Sequence, residues 1–144
     1  MTNMDNDKLC PSSEQITNAG RRQNGCQSEA CKGYGSMGCT CRIRELNDRL
    51  RTTMSGGLVH MTDGIAVLGL STVNAIFKAI STFTDFTPDN DPWGEHDCAV
   101  MEVGGHRIIW KIDYYDRHRT YHSPDAADPK VTVRVLTIML SQEY

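Results

Sequence analysis

Two glycines place the tightest condition on this chain. Gly104-Gly105 sits between two runs, His96–Val103 and His106–Tyr114, in which apolar and polar residues largely alternate. Alternation at a period of two is the pattern of a half-buried strand. A Gly-Gly pair supplies the positive φ that a two-residue primed turn needs at its centre. The sequence therefore predicts a β-hairpin in one register. Val103 faces His106, Met101 faces Ile108, Ala99 faces Trp110 and Asp97 faces Ile112, which makes a mostly apolar face with Trp110 in the core. The other face pairs Glu102 with Arg107, Val100 with Ile109, Cys98 with Lys111 and His96 with Asp113. Two opposite-sign pairs support that register, although each exposed pair contributes only ~0.2–1 kcal/mol. A slip of one residue would turn Trp110 to solvent.

The remaining elements follow from periodicity and punctuation. Ile43, Leu46 and Leu50 recur at helical spacing. Thr40 is a suitable N-cap and Gly56-Gly57 a stop, with Arg42, Arg44, Arg49 and Arg51 expected on a solvated face. Leu58–Met61 reads as a short strand, and Thr62-Asp63 as the cap of a helical turn. Val73, Ile76, Phe77, Ile80 and Phe83 line one face of a helix over 71–83. Asp128-Pro129 has the form of a helix start, followed by a stripe of Val131, Val135, Ile138 and Met139. These elements predict an α+β fold: a small antiparallel sheet built on a central hairpin and packed against about three helices.

The chain of 144 residues fits one domain. Residues 1–41 are polar and rich in Gly, Ser, Asn and Gln, too poor in patterned apolar residues to offset their ordering entropy. They read as a flexible Cys-containing extension to a domain over 42–144. Charge divides similarly. Residues 1–53 hold eight Lys/Arg against six Asp/Glu, and residues 54–144 hold seven against twelve. An acidic body argues against a fold that grips phosphates as a whole, so nucleic acid is not expected as its partner. No apolar run reaches the length of a membrane span. The N-terminus lacks the basic and apolar regions of a secretory signal. A cytoplasmic location is expected, where thiols need not pair.

Three constellations could carry chemistry. Asp85, Asp89, Asp91, Glu95 and Asp97 place five acids in thirteen residues around Trp93. Dense carboxylates suit hard cations, but the spacing fails the EF-hand pattern, with Trp93 and Val100 where ligands belong. Asp89, Asp91, Trp93 and Glu95 read better as a partner-binding surface, in which Trp93 is either an anchor or a lid folded onto the core. His96, Asp97, Asp113 and Asp116, with Tyr115 and His122 nearby, are weak candidates for acid/base or metal-hydrolytic work. No HExxH, GxSxG or Walker motif accompanies them. Cys26, Cys31, Cys39 and Cys41 could bind zinc as four thiolates, though no CxxC unit occurs. Cys98, on a strand, is expected to be inert.

The stretches IRELNDRLRTT, FTPDNDPWGEHD, WKIDYYD and SPDAADPKVTVRVLTIMLSQEY make the segment 43–144 resemble a small bacterial family catalogued as domain of unknown function 3768. The resemblance implies no activity and no catalytic residue, and it leaves the Cys-rich front outside the shared domain. The expected function is a non-enzymatic interaction module of a bacterial or mobile-element accessory system, using the acidic loop and the hairpin end and needing no cofactor. The first alternative is a metal-dependent hydrolase or nuclease built on His96, Asp97, Asp113 and Asp116. The second is a zinc module of the Cys tail that contacts nucleic acid.

Overall fold

A computed structural model describes Gly38–Tyr144, with side chains from Thr40 onward. The elements run α1 (Gly38–Thr53), β1 (Leu58–Met61), α2 (Asp63–Ala66), α3 (Leu70–Thr82), β2 (Cys98–Val103), β3 (His106–Tyr115), β4 (Val133–Leu140) and a closing 3₁₀ turn, Ser141–Glu143. Among these, no helix is long and apolar enough to cross a membrane. The strands form one sheet in the order β1-β4-β3-β2. β2, β3 and β4 are antiparallel, and β1 joins the edge parallel to β4. The fold is α+β with a mixed, mostly antiparallel sheet.

The hairpin has the expected register from Cys98 opposite Lys111 to Val103 opposite His106. Gly104 and Gly105 have φ of 58° and 79°, the two positive values a type I′ turn requires. The first strand of the hairpin starts two residues later than expected. β2 begins at Cys98, so His96 leaves the sheet with φ +53° and is not paired with Asp113. The last ladder contact is the amide of Ile112 donating to the carbonyl of Asp97 at 2.7 Å.

The C-terminal helix expected from Asp128 is a strand instead. Asp128 caps a turn, accepting from the amide of Lys130 at 2.8 Å and from that of Val131 through its carbonyl. The run Val133–Leu140 then alternates, with Arg134, Leu136 and Ile138 buried and Val133, Val135 and Thr137 half-buried. Its β-branched residues prefer a pleated surface. The supposed helical stripe is divided between the two faces of the sheet.

All three helices share one core with one sheet face. Leu50 of α1, Ile65 of α2 and Val73, Ile76 and Ile80 of α3 pack with Ala99, Ile108, Trp110, Ile112, Leu136 and Ile138. Ile43 forms a smaller cluster with Ala127, closed by Tyr114. Trp110 meets Phe83 and Phe86 edge-on, with centroids 6.3 Å away in each case. Its indole N–H is buried without a hydrogen-bond partner. At the far end, the Glu143 carboxylate accepts from the Thr62 hydroxyl at 2.6 Å and the Leu140 amide at 2.9 Å. The C-terminus is thereby tied to the start of α2.

Gly57 shows how closely β1 approaches β4 and α1. A Cβ there would lie 2.6 Å from the carbonyl oxygen of Arg134 and 3.0 Å from Leu50 Cδ2. Gly57→Ala should destabilise the protein by about 1–3 kcal/mol in urea unfolding, the usual cost of overpacking. Trp110→Ala should cost about 3–5 kcal/mol. Trp110→Phe should cost less than half as much, because it keeps an aromatic filling and removes the unsatisfied donor. Equal losses for the two Trp110 variants would refute the assignment.

Candidate functional site

The polar groups of the domain converge at the hairpin's open end, where α1 crosses the ends of β3 and β4. Ile43, Asn47, Leu50 and Arg51 lie at positions i, i+4, i+7 and i+8, so α1 turns two polar side chains inward with its apolar ones. Asn47 is fully buried. Its amide N–H₂ donates to the Glu95 carbonyl at 2.9 Å and to the Tyr114 hydroxyl oxygen at 2.7 Å. Its oxygen accepts from Arg134 Nε at 3.0 Å. The Tyr114 hydroxyl donates in turn to Glu95 Oε2 at 3.1 Å.

Burial, reinforced by the Glu95 charge, pushes the Tyr114 phenol far above its usual range and keeps it a neutral donor. Burial also lowers the Arg134 guanidinium from its ordinary value, but such a group does not lose its proton in a protein. Arg134 lies over the Tyr114 ring, 5.2 Å from the centroid, and donates to the Ala126 carbonyl.

The next residue of α1, Asp48, holds a second group. His96 Nδ1 lies 2.9 and 3.1 Å from its two carboxylate oxygens. Arg51 reaches the same carboxylate through Nε and a terminal nitrogen, each at 2.8 Å. Burial alone would raise the Asp48 pKa. The hydrogen bonds and charges of His96 and Arg51 outweigh it and hold the carboxyl below its usual value. Arg51 also donates to the carbonyls of Ile80 and Phe83, at 3.1 and 2.9 Å, at the end of α3, where carbonyls lack partners within the helix. Arg51 therefore lies buried, not on a solvated helix face. The His96 ring stacks on Phe86 with centroids 3.8 Å apart.

The acidic loop is folded around its own carboxylates. Asp91, only 7% exposed, accepts from the amides of Glu95 and His96 at 3.0 and 3.3 Å. Glu95 is 4% exposed. Two members of the expected surface, Asp91 and Glu95, thus turn inward, because a loop passing over the core must satisfy its amides from within. Asp89 stays exposed and Trp93 is 36% exposed.

The expected acid/base group does not assemble. Asp113 pairs with Lys111 at 2.9 Å on the opposite face of the sheet, which raises the lysine's pKa. Asp116 closes the turn after β3 by accepting from the Thr120 amide at 2.9 Å, and that bond lowers its pKa. Among the described residues, no group of three or more His, Cys, Asp or Glu is placed to hold a metal ion. Cys41 is buried on α1. Cys26, Cys31 and the side chain of Cys39 lie outside the described residues. Burial pushes the Cys98 thiol up, which keeps it protonated and unreactive.

Residues 61–143 match the family described as "Protein of unknown function (DUF3768)". The chain belongs to this family. No curated protein and no solved structure matches it. The DUF3768 segment includes Glu95, Tyr114 and Arg134, but Asn47, Asp48 and Arg51 precede it. The buried polar groups of the family segment are therefore satisfied by a helix outside the match. Sequence reasoning missed Asn47, Arg51 and Arg134 as inward residues. The available signal was their phase, since each shares a face with flanking core residues.

Asn47→Leu should cost about 2–4 kcal/mol in urea unfolding, because it removes three hydrogen bonds of roughly 0.5–1.5 kcal/mol each. The depressed Asp48 pKa sets a pH dependence. Its contribution is fully present above the unfolded carboxylate's pKa and is lost as pH falls through the lower folded value. Melting temperatures across the acid range should show a limb that Asp48→Asn flattens.

Proposed function

We propose that this DUF3768 protein is a non-enzymatic protein-interaction module whose contact surface is the tip of the loop between α3 and β2. The observation that carries the reading is the inward turn of Asp91. By binding the Glu95 and His96 amides, it fixes the backbone that presents Asp89 and Trp93. A loop held before contact loses little freedom on binding. A tryptophan beside carboxylates offers a large anchor and a charge preference together. The partner that suits it is a protein surface with a pocket for an indole and a Lys or Arg beside it. In this reading the protein works in the bacterial cytoplasm, as part of an accessory system.

The role of Asp91 differs from the surface role first expected of it. Asp89 and Trp93 make the contact, and Asp91, Glu95 and His96 set its shape. Trp93→Ala combined with Asp89→Ala should abolish capture of a host protein by the full chain while leaving the melting temperature within a degree or two. Asp91→Ala should lose both capture and stability. Calorimetry of the full chain with Mn²⁺ or Mg²⁺ should give no stoichiometric binding. Binding that His96→Ala removes would put the hydrolase reading in place of this one.

A further inference from the structure

The turn that follows β3 carries a run unlike the rest of the acidic body. From Tyr115 the chain reads YDRHRTYHS, with two arginines, two histidines and two tyrosines against one carboxylate. That carboxylate builds the turn. Asp116 accepts the Thr120 amide on its side chain at 2.9 Å and the Arg119 amide on its carbonyl at 3.0 Å. Its own amide donates to the Tyr121 carbonyl at 2.9 Å, and Tyr115 bridges to His122. The backbone is closed by its own hydrogen bonds, with Arg119 held at φ +58°. A non-glycine residue at positive φ is uncommon, and such positions cluster where a chain holds a ligand. Residues 117–122 are all exposed, Tyr121 by 74%. Among the described residues, neither Arg117 nor Arg119 enters an ion pair.

We infer that this turn is a contact site for single-stranded nucleic acid. Three features select that ligand. Unpaired guanidiniums match phosphate oxygens in a bidentate fork. The exposed Tyr121 ring beside them offers a face on which an unpaired base stacks, as the bases inside a duplex cannot. No aliphatic residue lies within 115–123. The turn therefore lacks the apolar centre of a protein interface, whereas nucleic-acid interfaces are polar and positively charged. The acidic body excludes a fold that wraps its ligand, and it confines the contact to about two phosphates and one base. Binding is weak and tolerant of sequence, since phosphate contact and stacking read no base edge. The site shares no residue with the acidic loop and does not rest on that loop's role in protein contact.

Fluorescence anisotropy of a short labelled oligouridine with the full chain, in reducing buffer, tests it. Saturable binding is expected at low salt. The logarithm of the binding constant should fall by about 1.4 per decade of salt, the slope for two phosphates on a single strand. Arg117→Gln combined with Arg119→Asn, a residue that tolerates positive φ, weakens binding by about tenfold or more and flattens that slope. Tyr121→Ala weakens it about five- to 150-fold, the span of one base–aromatic stack, while Tyr121→Phe stays within about twofold of the parent. The variants melt with the parent chain, because the altered side chains are exposed. Either the arginine pair or Tyr121→Ala decides the matter should the other fail to fold. Absence of saturable binding, or binding that survives these variants, would overturn the proposal. So would polyglutamate that competes as well as unlabelled oligouridine, which would assign the turn to an acidic protein instead.

Discussion

Asn47 has no water to fall back on, and three separate pieces of chain depend on its one amide. Its N–H₂ group reaches the backbone at Glu95 and the hydroxyl of Tyr114, and its oxygen reaches Arg134. Through them it joins α1 to the loop before β2, to the end of β3 and to the start of β4. Apolar burial drives these elements together, but it is tolerant of small rotations and slips. A buried amide with three partners is not tolerant. Displacing α1 by one turn breaks three buried hydrogen bonds at once, to a carbonyl, a phenol and a guanidinium, each worth about 0.5–1.5 kcal/mol and more where a group is left unsatisfied. The polar network thus sets the position of α1, while Ile43 and Leu50 provide most of the attraction.

The acidic loop inherits its shape from that contact. Glu95 and His96 are anchored to Asn47 and Asp48 through a carbonyl and an imidazole. His96 is held at positive φ, a conformation uncommon outside glycine that persists when its surroundings over-determine it. Asp48, Asp91 and the Phe86 ring supply those surroundings. Arg51 ties the other end of the same segment by holding the carbonyls of Ile80 and Phe83. From Phe83 to His96 the chain is fixed at both ends by one helix. The acids that looked like a surface in the sequence are divided by this arrangement into inward organisers and an outward tip.

What the sequence disclosed depended on how local the deciding physics was. The hairpin was legible because turn chemistry, alternation and cross-strand charge all act within twenty residues and agree. β1 was legible as a strand but not as a parallel neighbour of β4, since its partner lies more than seventy residues away. The C-terminal strand was misread because Asp-Pro is as good a turn former as a helix start. Val131, Val135, Ile138 and Met139 fit a period of 3.6, and the buried Arg134, Leu136 and Ile138 fit a period of two. The inward Asn47, Arg51 and Arg134 were hidden for a related reason. A polar residue on an apolar face is ordinarily read as an interruption, and only the fold reveals the partners that make its burial tolerable.

The commitment of these side chains to one another bears on what the domain can do. His96 has the company of a catalytic imidazole, with a carboxylate on Nδ1 and an aromatic ring beneath it. Catalysis also needs an open side, where a reacting atom can approach an unengaged group. Here the second nitrogen, Nε2, faces Asp91 at 3.8 Å, and Asp91 is itself committed to two backbone amides. Asp48 is shared with Arg51, and Asp113 and Asp116 are elsewhere. The titratable groups are therefore spent on one another in holding the loop, and what they leave facing outward is a tryptophan, a carboxylate and a fixed backbone. The interaction role proposed for this domain is built on those outward groups.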